Sequence, residues 1–410
     1  MKKITQALIV VLFLSATFPL LAQTFTFTSA GASGQYGPTQ SQVNSAYIGT
    51  PLEGQVVVIT QGIQEWTVPV TGNYSLQARG AQGGFDGGLG AEMDGVFALT
   101  QGEVLKILVG QAGTTVVSSS NSGGGGGGGS FIVNATGNTP LLIAGGGGGF
   151  SSEPVYGPYD PNITNGNSST NGGSTVGNGG GMNGNGGQNG TSDCCLPGNI
   201  GASGGAGLLT NGQAGSNGFE SLSFLNGGVG SAAGPKVGFE TVGGEGGFGG
   251  GAGASYDNVV RSGGGGGYSG GQGGVVDFGS GSHSGGGGGS FNAGANQVNT
   301  PGVNAGHGQI TITLLNAPPV ITCPGNFTLS NDAGVCGAVV TYTVTATDDE
   351  DGPLVPIQTA GLPSGSEFPV GTTINTFEVT DSNNNTVTCS FEVTVNDTEA
   401  PEMLCPADIT

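Results

Sequence analysis

The chain has 410 residues and a formal net charge of −21, set by 27 Asp and Glu against 6 Lys and Arg. A nucleic-acid backbone is held by Lys and Arg that displace its counterions, so a partner of that kind is excluded. Only 8% of the residues are charged; polarity comes from Ser, Thr, Asn and Gln, which suits an extracellular β-protein and not a cytosolic enzyme.

In chain order, Met1, Lys2 and Lys3 precede an apolar stretch from Ala7 to Leu21, followed by Ala22 and Gln23. This reads as a bacterial-style secretory signal over residues 1–22, cleaved after Ala22. The alternative is a membrane anchor, but the stretch is short of the ~20 apolar residues that a span requires. No second apolar segment follows, so no membrane-spanning segment is expected in the mature chain. From Thr24 to Val117, short β-branched or aromatic segments alternate with Gly, Asn and Pro at the spacing of a sandwich. They include residues 25–28, 56–60, 65–70, 74–78, 96–99 and 104–109. Residues 40–47 are the one stretch with a helical apolar period.

Ninety residues are glycine, and many fall in pure runs at 123–129, 145–149, 263–267 and 285–289. Glycine runs usually mean flexible linker. These runs end in Gly-Ser-Phe, Gly-Tyr-Ser or Gly-Phe-Ser, and an aromatic needs a core to sit in. The expectation is therefore packed structure. Lacking Cβ, such runs can take the threefold polyproline-II helix and lie side by side. Gly126→Val and Gly265→Val should then destabilise. Residues 151–192, rich in Asn, Gly and Ser, lack aromatic ends and are expected to be mobile, so Gly172→Val should be tolerated. Residues 309–315 alternate as a strand, with Ile310, Ile312 and Leu314 on one face; after so long an insertion, it should return to the first sheet.

After residues 316–319 the glycine stops. Residues 316–398 are Thr- and Val-rich and read as a second, smaller sandwich of immunoglobulin-like length. Cys323-Pro324-Gly325-Asn326-Phe327-Thr328 is echoed by Cys405-Pro406-Ala407-Asp408-Ile409-Thr410, so residues 399–410 read as the start of a further, truncated repeat.

Here the sequence resembles known families. Residues 31–40, 62–69, 107–113, the run into Ser130-Phe131, 140–145 and 306–310 resemble the extracellular glycine-rich domain of the anaplastic lymphoma kinase and leukocyte tyrosine kinase receptors. The resemblance covers residues 24–315 and implies a tumour-necrosis-factor-like β-sandwich with inserted, packed polyglycine helices that binds protein ligands. No kinase resemblance accompanies it. Residues 320–324, 336–340, 368–373 and 388–391 resemble a hyalin (HYR) repeat, which implies an immunoglobulin-like β-sandwich and adhesion. The fold class is thus all-β. The HYR resemblance implies one disulfide, Cys323 to Cys389. The family's usual cysteine near Asp349-Glu350 is missing, which leaves Cys336 free or paired outside the repeat. Cys194 and Cys195 bond to each other or to another group.

Candidate chemistry is sparse. The six cysteines match no zinc spacing. His283 lies between two serines with no orienting carboxylate and reads as loop. His307 reads as structural. Asp381, Asn383, Asn385 and Glu392 imitate a calcium loop, but Thr386 stands where the turn glycine belongs, so a hairpin turn is expected. Better calcium candidates are Asp349 and Asp351, with Asp397 and Glu399 near the module junction; a solvated acidic face is the commoner meaning of such clusters. No catalytic residue and no cofactor site is assigned. The expected function is a secreted or cell-surface, non-enzymatic adhesion or ligand-binding protein, a glycine-rich head on an HYR stalk, with an extracellular protein or glycan as ligand. The alternatives are a structural matrix or envelope protein, or the non-catalytic part of a secreted enzyme.

Overall fold

The computed structural model describes residues 23–116, 123–151, 161–175, 179–190, 201–215, 219–233, 243–256, 260–275, 284–315, 318–348 and 351–401. The expected signal segment, Cys194, Cys195, Cys405, His283 and Asp349 lie outside them. The chain divides into two compact units, one of them Gln23–Leu315, the other within Asn316–Thr410.

The first unit is built on two sheets. Its strands are β1 (Thr24–Phe27), β2 (Val56–Val57), β3 (Ile63–Thr67), β4 (Gly72–Arg79), β5 (Gly90–Leu99), β6 (Val104–Leu108), β7 (Ser130–Asn134), β8 (Thr139–Ala144), β9 (Phe291–Asn292), β10 (Ala295–Asn304) and β11 (Gln309–Leu314). The five-stranded sheet runs β1-β11-β4-β5-β10, the six-stranded sheet β9-β8-β7-β6-β3-β2. The strand that closes the unit, β11, lies between β1 and β4, antiparallel to both. It buries Ile310, Ile312 and Leu314, as period-two alternation requires. Between the sheets, Phe25 and Phe27 meet Trp66, with ring centroids 4.7 Å and 6.1 Å apart. The helix α1 (Gln40–Ala46) starts at a capping box: the Thr39 amide donates to Gln42 Oε1 (2.9 Å) and the Gln42 amide to Thr39 Oγ1 (3.4 Å), satisfying donors that a helix end leaves open.

The other face of the six-stranded sheet is also buried. Ile63, Leu108, Phe131, Val133 and Ile143 pack there with Leu208, Phe224 and Phe248 from the glycine-rich region, and Tyr268 and Phe291 pack against them. Phe131, Tyr268 and Phe291 are the aromatics that end three of the glycine runs. Phe131 stacks on Phe224 (5.2 Å) and Tyr268 on Phe291 (4.9 Å). The aromatic ends thus fasten the runs to the sheet.

The runs themselves are held by backbone. Gly124 donates to Phe150 and Gly127 to Gly147; Gly125 to Thr114 and Gly128 to Gln111; Gly126 to Ala252 and Gly129 to Gly249. Donors turn to three neighbours in rotation and return to each after three residues, as a helix of three residues per turn does. Partner numbers fall as donor numbers rise, so these neighbours are antiparallel. In the run at 263–267, Gly263 and Gly266 donate to Gly124 and Gly127, and Gly264 and Gly267 to Ser203 and Ala206; these neighbours are parallel. No glycine of the four runs has positive φ. A Cβ at Gly126 would come within 2.0 Å of the Gly264 carbonyl oxygen, and one at Gly265 within 2.3 Å of that of Gly146. Glycine is required because the neighbour is backbone, which has no rotamer with which to yield.

The expectation of a mobile excursion over residues 151–192 is corrected for its described parts. Gly166 donates to Leu89, Gly172 to Gly181, Gly173 to Gly287 and Gly187 to Gly205. A Cβ at Gly172 would lie 2.0 Å from the Gly270 oxygen. The segment thus joins the array through its backbone, Gly173 reaching the run at 285–289, without an aromatic end of its own.

The second unit has strands β12 (Val320–Thr322), β13 (Phe327–Ser330), β14 (Gly337–Val339), β15 (Thr345–Asp348), β16 (Gly352–Leu354), β17 (Ile357–Ala360), β18 (Glu367–Pro369), β19 (Gly371–Thr380) and β20 (Thr386–Asn396). They form sheets β12-β15-β16, β13-β20-β19-β17 and β14-β18. Phe391 is central to the core, with Tyr342 at 4.8 Å, Phe327 at 5.9 Å and Phe377 at 6.3 Å. A disulfide joins Cys323 to Cys389, as the resemblance implies, and Cys336 is free and exposed.

Candidate functional site

The acidic candidates are used to fix backbone. Asp351 accepts a hydrogen bond from the Ser382 amide (2.6 Å), and its own amide donates to Asp348 Oδ1 (2.9 Å). Asp397 accepts from the Glu399 amide (3.1 Å), and Glu399 from the Gly334 amide (2.7 Å). The Thr398 amide donates to Asn331 Oδ1 (3.0 Å), so residues 397–399 are tied to the 331–334 turn. Among the described residues, no group of three or more His, Cys, Asp or Glu is arranged to hold a metal ion. Asp381 accepts from the amides of Asn383 and Asn385 (2.9 and 2.7 Å). With Asn384 at φ 67°, it makes the hairpin turn between β19 and β20. His307 Nδ1 accepts from the Ala112 amide (3.1 Å), and desolvation lowers its pKa below 6.5; the ring is a neutral acceptor in the fold.

Three surface features remain. The first is the edge of the six-stranded sheet at β2. There Gln40 of α1 grips the strand, its amide nitrogen donating to the Val56 carbonyl (3.0 Å) and its oxygen accepting from the Val58 amide (2.6 Å). Beside this clasp, Val57 is exposed and Ile59 exposes 74% of its surface. The second is a cleft of about 210 Å³, lined by Asn162, Asn165, Asn167, Ser168, Ser169 and two prolines. The third, in the second unit, is a groove of about 330 Å³ between residues 342–344 and 355–358. Sequence reading assigned none of these. Residues 56–60 read as a strand, but nothing in the sequence told which face or edge would be left bare.

Residues 316–395 match the HYR domain. They are an HYR domain. A 111-residue stretch, 26% of the chain, is 33% identical to hyalin of Strongylocentrotus purpuratus, covering 9% of that protein. A 97-residue stretch, 22% of the chain, is 40% identical to the leukocyte tyrosine kinase receptor of Mus musculus, covering 11% of it. The chain therefore spans about a tenth of the length of these curated relatives. The HYR domain and these two relatives point to an extracellular or cell-surface protein of adhesion or receptor type. No described helix is long and apolar enough to cross a membrane.

Proposed function

We propose that this is a secreted or cell-surface, non-enzymatic ligand-binding protein, delivered by the signal at residues 1–22. The glycine-rich unit presents the binding surface and the HYR domain is a module of a supporting stalk. The glycine runs are read as polyglycine helices of polyproline-II type, supported by their three-residue return of hydrogen-bond partners. The observation that carries the reading is the β2 edge, where Val57 and Ile59 are bare on a frame held by two sheets and the glycine array. Exposed apolar groups at a rigid edge suit recognition of a protein or glycan. Residues 23–410 would be screened on protein and glycan arrays, and hits retested with Ile59→Asp. Loss of binding by the variant, with unchanged melting, is expected; hits unaffected by it would remove the β2 edge from the account.

The second reading is a structural matrix protein, which the density of backbone pairing between glycine runs favours. It predicts concentration-dependent assembly of the purified chain into fibres or sheets, where the ligand-binding reading predicts a dispersed species.

A further inference from the structure

The groove of the HYR domain has the form of an unfilled strand position. One wall is residues 342–344; the other is β17 with Val355 and Pro356 before it. Among the described residues, no backbone hydrogen bond engages Thr343 or Val344. Across the groove, β17 ends its sheet, pairing with β19 alone. The backbone of Thr343 and Val344 and the outer edge of β17 thus face one cavity, while Tyr342 is tied off by the Ser364 hydroxyl at its amide and its carbonyl (2.8 Å each). Its lining is mixed: Tyr342, Val344, Val355, Pro356 and Phe377 supply apolar surface, and Thr343, Gln358 and Ser364 polar groups. Val355 and Ile357 expose 84% and 66% of their surface. Gln358 reaches Asn375 Oδ1 (3.3 Å), and Asn375, fully buried, has an amide nitrogen without a partner.

Charge decides between occupants. Residues 316–410 carry Asp or Glu at thirteen positions and no Lys, Arg or His. A second copy of this domain would bring the same charge and be repelled. We propose that the groove receives an extended segment of a cationic protein partner, in which apolar residues alternate with Lys or Arg. Its backbone would add to one or both walls, as in strand addition to a sheet edge. Its apolar side chains would cover Val355 and Val344, and its cations would face the acidic surface. Pro356, which lacks an amide hydrogen, limits pairing to the positions on either side of it. The site is separate from the β2 edge and does not depend on which ligand that edge takes.

The test uses residues 23–410 with the disulfide intact and three capped synthetic eight-residue peptides: Lys and Val alternating, Glu and Val alternating, and four Lys followed by four Val. Binding is followed by calorimetry and hydrogen-exchange mass spectrometry. The alternating Lys-Val peptide should bind, weaken as salt rises, and protect residues 341–344 and 355–360. The Glu-Val peptide should not bind, and the block peptide should give no protection there. The double change Val355→Ser, Ile357→Ser, at exposed positions outside the core, should weaken binding about tenfold. Equal binding of the block peptide, protection elsewhere, or indifference to the double change would overturn the proposal. Array hits of the glycine-rich unit, scored by Ile59→Asp, should be unmoved by it, so the two readings fail separately.

Discussion

The two units solve one problem by opposite means. The HYR domain packs side chains: three aromatic rings surround Phe391, and a disulfide crosses a separation of 66 residues. The glycine-rich unit packs backbone. Its sheets hold a conventional core, but the layer over the six-stranded sheet is held by amides donating to carbonyls of neighbouring runs, with Phe131, Tyr268 and Phe291 as fasteners. Glycine loses more freedom on folding than any other residue, so such an array stands only where nearly every buried amide finds a partner. The contrast teaches where each unit should be fragile: one to loss of side chains or the crosslink, the other to their addition.

The largest effect is expected from adding a side chain to the array. Gly126→Val, Gly265→Val and Gly172→Val should each cost more than ~4 kcal/mol, the range reserved for severe core disruption, because the clash is with a carbonyl oxygen at 2.0–2.3 Å. Gly325→Ala in the HYR domain, where nothing lies within 4 Å of the added carbon, should be nearly neutral. Thermal melts of the four variants check both halves of the contrast.

Next is the crosslink. Cys323→Ser with Cys389→Ser should cost the HYR domain about 4 kcal/mol in the chain-entropy model and leave the glycine-rich unit folded. Differential scanning calorimetry would show one transition moving while the other stays. A comparable shift of both would mean the units do not fold as separate bodies. Smaller again, Thr39→Ala removes half of the capping box on α1 and should cost ~1 kcal/mol, read from chemical denaturation.

The smallest effect concerns His307. Its pKa is lowered by desolvation, so the folded state resists protonation more than the unfolded state. Its contribution is fully present above pH 6.5, is lost as pH falls from there to the folded pKa, and is flat below. His307→Gln should therefore show a shallower loss of melting temperature between pH 7.5 and 5.5 than the parent chain. Parallel slopes would show that the imidazole does not titrate against folding.

Much of the frame was legible in the sequence. The alternation of residues 309–314 placed β11 with its buried face, and the helical period at residues 40–47 marked α1. The repeated Gly-Ser-Phe endings marked the glycine runs as packed, because an aromatic at the end of a run needs a core to enter. Residues 161–190 misled because the same lattice can be entered without an aromatic. Gln272 shows how: its side-chain oxygen accepts from the Thr175 amide (2.9 Å) and the Ser174 hydroxyl (3.1 Å), a contact across nearly 100 residues that composition does not encode. The acidic clusters show a similar limit: Asp351 and Glu399 accept from backbone amides of turns distant in sequence, partners that the local sequence does not name. The exposed side chains at the β2 edge and the HYR groove are properties of what is left uncovered, and a single sequence records only residues, not their missing neighbours.

The central claim, that glycine runs here are structure and not linker, is tested most directly by hydrogen exchange at their own amides. Residues 123–129, 145–149, 263–267 and 285–289 should exchange as slowly as the central strand β4, because each of these runs donates into buried carbonyls. Exchange of the four runs at the rate of an unfolded peptide, with β4 still protected, would contradict the account.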